Sequence, residues 1–260
     1  MTFIIAEAGV NHSGDILQAY RLIDAAKDSG ADAVKFQLFN SRKLWGDDRI
    51  TQYELSYEQL GHLKDKADSV DIEFMCTPFD VEGVEFLTPL VKRHKIASGC
   101  RKPDILEAAD GTNLPLIVST GMGDFDDIKE WLWGLRFVLT ITGTVTLLHC
   151  TSSYPCQSQD VNLKAMREMG DYFGCPYGFS DHTQGILASP MAVAMGATVI
   201  EKHLTLNKLA SGPDHSSSIE PREFKQMVSN IREVELMLGS SEKKILQCEQ
   251  ELREKWYAGG

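Results

Sequence analysis

The sequence predicts a single-domain (β/α)8 barrel, the TIM-barrel fold. Short apolar runs alternate with amphipathic helical patterns along the chain of 260 residues, and such alternation predicts a parallel sheet. Roughly eight strand–helix units follow one another at a spacing of about 30 residues, which suits a closed barrel better than an open sheet. No glycine-rich dinucleotide or P-loop motif follows any apolar run, which argues against a nucleotide-binding sheet. We therefore expect one barrel over residues 1–240.

The first half of the chain contains four predicted strands, each followed by a predicted helix. The first helix starts after Asp15, a good N-cap residue, and ends at Gly30, because glycine commonly terminates helices. In chain order the strand and helix pairs are FIIAEAG and ILQAYRLIDAAKDSG, AVKFQLF and YEQLGHLKDKADSV, IEFMCTPF and VEGVEFLTPL, and HKIASG and PDILEAAD.

The second half repeats this alternation without a break in composition. Its pairs are PLIVSTG and FDDIKEWLWGL, TVTLLHCTSSYP and NLKAMREMG, YGFSDHT and ILASPMAVAMG, and TVIEKHLT with the long EPREFKQMVSNIREVELMLG. Residues 241–260 are rich in charge and are expected to form a C-terminal tail, either as a solvated helix or as the remnant of a linker.

Charge and composition exclude several classes of function. A net charge of −11 argues against nucleic acid or an anionic membrane as partner, because phosphate groups attract basic surfaces. The chain has no apolar run long enough to span a bilayer, and Glu7 interrupts the N-terminal apolar run too early for a signal peptide. Six scattered cysteines without a CxxC pair predict reduced thiols and a cytoplasmic protein.

Polar residues interrupt the apolar strands with a period of two. In AVKFQLF the apolar Val34 and Phe36 share one face, which leaves Lys35 on the other. If the apolar faces pack against the helices, the residues that project inward are Glu7, Lys35, Gln37, Ser180, His182, Glu201 and His203. A structural pair between Lys35 and an unspecified glutamate would explain one buried charge, since an unpaired one is costly. Seven such residues at one end of the barrel favour an active site.

Two histidines end the last two predicted strands, which are neighbours in a closed barrel. His182 and His203 are therefore expected to converge on one divalent ion, with Asp181 or Glu201 as supporting carboxylates. Two imidazoles with oxygen ligands suit Mn²⁺ or a related ion that keeps positions open for substrate. The alternative is a pair of hydrogen-bonded core histidines. The other histidines, His62 and His94 among them, are interpreted as surface residues.

Nine motifs in order resemble the N-acetylneuraminate (sialic acid) synthase family over roughly residues 3–240. They are AEAGVNHSG, DAAKDSGADAVKFQ, CTPF, KIASG, VSTGM, LLHCTSSYP, GFSDHTQG, GATVIEKHLT and GPDHSSSIEP. The resemblance implies a barrel that condenses phosphoenolpyruvate with an N-acetylated hexosamine such as N-acetylmannosamine. The products would be a nine-carbon 2-keto acid of the sialic-acid type and phosphate.

The resemblance also implies roles for individual residues. His182 and His203 would hold a divalent ion, expected to be Mn²⁺ with Mg²⁺ and Co²⁺ as alternatives, and Glu7 would be the carboxylate beside the aldehyde and the attacking water. The positions that match contacts to phosphoenolpyruvate are Lys35, Thr77, Lys95, Ser98, Ser119 and Ser180. The positions that match contacts to the amino sugar are Gln37, Tyr154 and Asp214.

The chain departs from the family pattern at three places. Cys100 stands where the family often has Glu, and Ser152 stands near the phosphate where many members carry Asn. Many members also continue into a C-terminal antifreeze-like domain, which supplies an arginine to the sugar's N-acetyl group across a dimer. We expect a barrel that lacks this domain and has a homodimer mate or a separate antifreeze-like subunit as partner.

Other functions are compatible with the same residues. Synthases of legionaminic, pseudaminic or related acids fall in the same class. A 2-keto-3-deoxy sugar acid synthase would act on an aldose phosphate, and for the second phosphate the loops offer only Arg42, Lys43 and Lys208. A non-catalytic barrel that binds a ligand or a partner subunit is the third alternative.

Overall fold

Eight parallel strands form the barrel in the computed structural model, which describes residues 1–133 and 145–257. The strands are β1 (Phe3–Gly9), β2 (Ala33–Leu38), β3 (Glu73–Pro78), β4 (His94–Ile96), β5 (Leu116–Ser119), β6 (Val145–His149), β7 (Tyr177–Asp181) and β8 (Val199–His203). They pair in the order β3-β2-β1-β8-β7-β6-β5-β4, so β1 joins the first and last parts of the sheet. The predicted fold class is confirmed.

Helices follow the strands and surround them. They are α1 (Ile16–Asp28), α2 (Ser41–Trp45), α3 (Tyr57–Ser69), α4 (Val81–Leu87), α5 (Pro103–Gly111), α6 (Phe125–Trp133), α7 (Leu163–Phe173), α8 (Ala188–Ala194), α9 (Pro221–Leu238) and α10 (Gln247–Tyr257). The side chain of Asp15 caps α1 by accepting from the Leu17 N–H, and Gly30 beyond its end has φ +83°. None of the helices in the described part of the chain combines the length and the hydrophobicity needed to span a lipid bilayer.

Three predictions fall partly on residues that the structure does not describe. The strand predicted over residues 144–155 begins at residue 144, which lies outside the described part. The helix predicted over residues 125–135 corresponds to α6, and residues 134 and 135 lie outside the described part. In the C-terminal tail, α10 consists of exposed residues, and residues 258–260 lie outside the described part.

The period-two assignment of strand faces agrees with the packing. Val34 and Phe36 pack outward in the layer between strands and helices, while Lys35 between them points into the barrel. An inner apolar layer fills the barrel below the polar residues and consists of Ile5, Ala33, Met75, Ile117, Leu148 and Val199. This layer closes the bottom of the barrel, so the polar side chains above it face only the C-terminal end of the strands.

The prediction that the other histidines lie at the surface is wrong for His12, His94 and His215, which are all buried. His94 begins β4 and is fully buried, with its Nε2 3.3 Å from the Thr88 hydroxyl, whereas His62 on α3 is exposed as expected. Flanking Arg93 and Lys95 suggested a surface position, but His94 points outward from the strand into the packed helix layer. Burial lowers the pKa of His94 to about 4.

We expect the burial of His94 to make folding sensitive to acid. The unfolded state takes up a proton near the usual pKa of about 6.5 and the folded state only near 4, so stability falls as pH drops through this window. His94→Leu should therefore reduce the loss of unfolding free energy between pH 7 and pH 5 by about 2 kcal/mol. Urea unfolding at both pH values measures this loss, with His62→Leu as the exposed control. An equal loss in His94→Leu and the parent would contradict the expectation.

Candidate active site

A cavity of about 370 Å³ opens at the C-terminal ends of the strands. All predicted site residues except Asp214 line it: Glu7, Lys35, Gln37, Thr77, Lys95, Ser98, Ser119, Ser152, Tyr154, Ser180, His182 and His203. Asp214 lines an adjoining pocket of about 280 Å³, which shares Gln37, Tyr154 and His203 with the first. The structure therefore brings the predicted residues together around one continuous space.

Lys35 lies at the centre of the cavity floor between two carboxylates. Its Nζ is 2.9 Å from Glu7 Oε2, 3.0 Å from Glu201 Oε2 and 3.1 Å from the Thr77 hydroxyl. Burial alone would lower the pKa of Lys35, but Glu201 and Glu7 outweigh it and raise that pKa above its usual value. The ammonium group is therefore positively charged at neutral pH.

Lys95 is the second buried cation of the floor and has weaker compensation. Its Nζ donates to the Ser119 hydroxyl at 2.7 Å and is 3.6 Å from Glu201 Oε1. Burial lowers the pKa of Lys95, and Glu201 opposes this shift. Glu201 in turn has a pKa well below its usual range because Lys35 and Lys95 outweigh its burial. Two cations thus share two carboxylates, which leaves Lys95 able to hold an incoming anion.

Gly121, after β5, marks the corner where three loops meet. A Cβ there would lie 2.5 Å from the Ser152 hydroxyl, 2.7 Å from Cys150 Sγ and 2.8 Å from the Ser98 hydroxyl. The Ser98 hydroxyl and the Cys150 thiol are themselves 3.1 Å apart. The backbone of Gly121 therefore approaches this corner of the cavity as closely as a chain without a side chain allows.

The two histidines face each other at the cavity rim, with ring centroids 5.7 Å apart. His182 Nδ1 is 2.8 Å from the Thr151 carbonyl oxygen, so it carries the proton and donates, and Nε2 is left with its lone pair. Burial, with a contribution from His203, lowers the pKa of His182 to about 4 and keeps the ring neutral. His203 Nδ1 is buried without a hydrogen bond and lies 3.7 Å from Asp214 Oδ2.

The predicted supporting role of Asp181 is wrong. Its side chain points outward into the helix layer, where it is fully buried and lies 3.0 Å from Lys202 Nζ. It also accepts from the hydroxyls of Thr183 and Ser189. Because side chains alternate along β7, Asp181 and His182 lie on opposite faces. Asp181 therefore does not contact the His182 ring and instead stabilises the ends of β7 and β8 from the helix side. Glu201 points inward, but toward the two lysines.

The adjoining pocket holds the residues predicted to contact a sugar. The Gln37 amide donates to Glu7 Oε1 at 3.0 Å, and the Tyr154 ring lies 4.2 Å from the His182 ring. Gly9, with φ +50°, keeps space beneath them, because a Cβ there would lie 3.0 Å from Asp214 Oδ2. The apolar wall of this pocket consists of Val10, Phe39, Leu44, Trp45, Ile50 and Phe79.

Some cavity residues were missed from the sequence. Trp45, on the unpredicted helix α2, and Met122 add apolar surface at the rim, and Cys150 lies in the corner beside Gly121. Arg101 lies behind this corner and had no assigned role. The one sequence feature that could have drawn attention to Arg101 is that it directly follows Cys100, where the chain departs from the family pattern.

Comparisons with known proteins agree with this geometry. The sequence matches the NeuB family over residues 22–243. N,N'-diacetyllegionaminic acid synthase of Legionella pneumophila is 46% identical over 93% of this chain and 74% of its own length. N-acetylneuraminate-9-phosphate synthase of Homo sapiens is 38% identical over 97% of this chain and 76% of its own length.

A solved structure is similar over the whole chain. The crystal structure of an N-acetylneuraminic acid synthetase from Leptospira borgpetersenii serovar Hardjo-bovis, in complex with citrate, superposes with a TM-score of 0.91. It is 34% identical in sequence, and the match covers 100% of this chain and 93% of that one. The chain therefore belongs to the NeuB family, and the prediction that it is an enzyme of the sialic-acid synthase type is confirmed.

Proposed function

We propose that this chain catalyses a metal-dependent condensation of phosphoenolpyruvate with an N-acetylated hexosamine. The products are a sialic-acid-type nine-carbon 2-keto acid and phosphate. The observation that carries the proposal is that two buried ammonium groups and two facing histidines share one cavity. Relatives from Legionella pneumophila and Homo sapiens bear the names of synthases of such acids.

The floor of the cavity suits phosphoenolpyruvate. Lys35 and Lys95 supply two positive charges, and the hydroxyls that surround them donate further hydrogen bonds to phosphate and carboxylate oxygens. These hydroxyls belong to Thr77, Ser98, Ser119, Ser152 and Ser180. These donors, together with Lys95, whose Nζ is 3.6 Å from Glu201, favour a small anion over a nucleic acid.

We expect Gly121→Ala to weaken phosphoenolpyruvate binding selectively. The new Cβ would occupy the corner between Ser98, Cys150 and Ser152, where the phosphate is proposed to bind. The apparent KM for phosphoenolpyruvate should rise about 10- to 100-fold, while the melting temperature changes little. Gly111→Ala is the control, since a Cβ at Gly111 meets no described atom within 4 Å. An unchanged KM in Gly121→Ala would remove the phosphate from this corner.

The residues at the rim fit a divalent ion. His182 presents Nε2 with its lone pair, His203 Nδ1 is buried without a hydrogen bond, and Asp214 lies beside it. Among the described residues no set of three His, Cys, Asp or Glu side chains forms a complete metal site, so water or substrate oxygens would supply the other ligands. When bound, Mn²⁺, or Mg²⁺ or Co²⁺ in its place, supplies a positive charge that polarises the aldehyde.

In this proposal Glu7 transfers a proton between the two reactants. When the enol carbon attacks the aldehyde carbon, the aldehyde oxygen takes the electron pair and must gain a proton. The water that adds at the phosphate-bearing carbon loses one. A carboxylate between the two reactants can accept the proton from the water and deliver it to the former aldehyde oxygen. Gln37 and Lys35 hold the two Glu7 oxygens, which fixes the carboxylate in the cavity.

The adjoining pocket favours a neutral acceptor over an aldose phosphate. The cationic side chains of the nearby loops are all engaged in ion pairs: Arg42 with Asp48, Lys43 with Asp80 and Glu82, Arg49 with Asp47, and Lys208 with Glu223. The aromatic and aliphatic wall suits the methyl of an acetamido group instead. An acceptor with one or two acetamido groups is therefore proposed.

Location and assembly are part of the same proposal. The six cysteines are free, which supports the proposed cytoplasmic location. A homodimer mate or a separate antifreeze-like subunit is proposed to complete the sugar side of the cavity, and sedimentation of the purified chain alone and with such a subunit tests this.

A phosphate-release assay tests the proposed function. The purified chain is incubated with phosphoenolpyruvate, Mn²⁺ and, separately, N-acetylmannosamine, a 2,4-diacetamido hexose and an aldose phosphate. Release is expected with an acetamido acceptor and not with the aldose phosphate, and Glu7→Gln should abolish it. Release with the aldose phosphate alone would favour the alternative synthase, and no release with any acceptor would favour the non-catalytic barrel.

A further inference from the structure

Arg101 joins two of the loops that build the phosphate-side corner of the cavity. Its Nε donates to the Ser98 carbonyl oxygen at 2.8 Å, and its Nη2 donates to the Gly121 carbonyl oxygen at 2.6 Å. Ser98 follows β4 and Gly121 follows β5. A planar guanidinium can bridge two acceptors in this way, whereas a lysine ammonium cannot hold the same fixed geometry.

The guanidinium itself is fixed from the other side by an aromatic ring. Its central carbon lies 3.5 Å from the centroid of the Trp131 ring on α6, within the range of a cation–π contact. Gly123 makes this stacking possible, because a Cβ there would lie 2.1 Å from the Trp131 ring and 2.9 Å from Arg101 Nη1. Among the described residues no carboxylate forms an ion pair with Arg101, and Asp127 acts on its charge only at longer range.

The two bound carbonyl groups determine the direction of two N–H groups. In a trans peptide the N–H points opposite to the C=O, so the peptide units after Ser98 and Gly121 turn the N–H of Gly99 and Met122 away from Arg101. Both Gly99 and Met122 line the cavity. Met122 has φ +62°, a left-handed conformation that is unfavourable for a non-glycine residue, and no described acceptor bonds its N–H.

We propose that Arg101 is a positioning residue that holds the Ser98 and Gly121 loops so that the Gly99 and Met122 N–H groups face the phosphate of the bound donor. The inference rests on the proposed function and assigns to this chain a support for phosphate binding that does not touch the substrate. Fixed N–H dipoles favour an anion without reorganisation at the moment of binding, and the guanidinium behind them adds to the positive potential.

Calorimetric binding of phosphoenolpyruvate and steady-state kinetics of the full chain test the proposal. Arg101→Ala should weaken phosphoenolpyruvate binding about 10- to 100-fold, with KM for the acceptor sugar unchanged. Arg101→Lys should recover little of this loss, and added methylguanidine should restore part of the binding to Arg101→Ala. Gly123→Ala, which displaces Trp131 but keeps the arginine, should raise the KM for phosphoenolpyruvate in the same direction.

Arg93 provides a matched control at the opposite end of the barrel. It stacks on Phe3 at 4.4 Å and pairs with Glu73, so Arg93→Ala removes a similar contact far from the cavity. Equal effects of Arg93→Ala and Arg101→Ala on donor binding would overturn the proposal, as would unchanged binding in Arg101→Ala. Failure of the proposed function can be distinguished from failure of this inference. In the first case the parent chain itself would release no phosphate, while calorimetry would still measure the effect of Arg101 on phosphoenolpyruvate binding.

Discussion

Replacing Lys35 with methionine is expected to lower the rate of phosphate release at least about 1,000-fold, equivalent to about 4 kcal/mol of barrier. Lys35 lies between Glu7 and Glu201 at hydrogen-bond distance from both. Without its ammonium the proposed phosphoenolpyruvate site loses one of two cations, and two buried carboxylates face each other. The free energy of unfolding should fall by about 3 kcal/mol, as when one partner of a buried ion pair is removed.

A second substitution separates the two effects of Lys35. Glu201→Gln in the Lys35→Met background removes the repulsion between the carboxylates, so stability should recover while phosphate release does not. Lys92→Met, at an exposed position before β4, is the control for loss of a lysine. If Lys35→Met kept the parent rate, or if the double variant regained activity with stability, the role of Lys35 in donor binding would be wrong.

His203→Ala is expected to lower Mn²⁺ affinity at least roughly 100-fold and to abolish condensation while the fold stays intact. His203 Nδ1 has no hydrogen bond to lose, and the side chain lies at the end of β8, above the apolar layer of the barrel. Titration followed by electron paramagnetic resonance measures free Mn²⁺ directly and needs no turnover. Far-ultraviolet circular dichroism checks the fold.

The control for this variant is His62→Ala, because His62 is exposed on α3, outside the cavity. It should bind Mn²⁺ like the parent chain. If His203→Ala bound Mn²⁺ as tightly as the parent chain, the two-histidine metal site would be contradicted. The alternative that both residues are core histidines would then be favoured.

The strands and their inward faces were predictable because side chains alternate along a strand. This alternation placed Lys35, Glu7 and Glu201 inside the barrel before any contact was known, and the chain order of β7 and β8 brought His182 and His203 together. Alternation also explains the failure at Asp181. In the pairing of β7 with β8, Asp181 lies opposite Lys202. The sequence of β7 alone does not show which residue of β8 lies opposite Asp181, so this ion pair could not be predicted.

Contacts between loops were not predictable, since loops have no periodic pattern. Arg101 and Trp131 are 30 positions apart and meet only because α6 folds back beside the loop after β4. The burial of His94 was missed for a related reason: β4 has three residues, too few for its faces to be distinguished. The sequence pattern thus located the floor of the site better than its supporting loops.

The central claim is that phosphoenolpyruvate reacts at its enol carbon with a sugar aldehyde in this cavity, and one isotope measurement tests it most directly. The chain is incubated with phosphoenolpyruvate, Mn²⁺ and N-acetylmannosamine in ¹⁸O-water, and the masses of the products are measured by mass spectrometry. We expect a nine-carbon 2-keto acid together with unlabelled phosphate, because water adds at carbon and the bridging oxygen leaves with phosphate. Phosphate that carries ¹⁸O, formed without the nine-carbon acid, would mean hydrolysis at phosphorus and would contradict the claim.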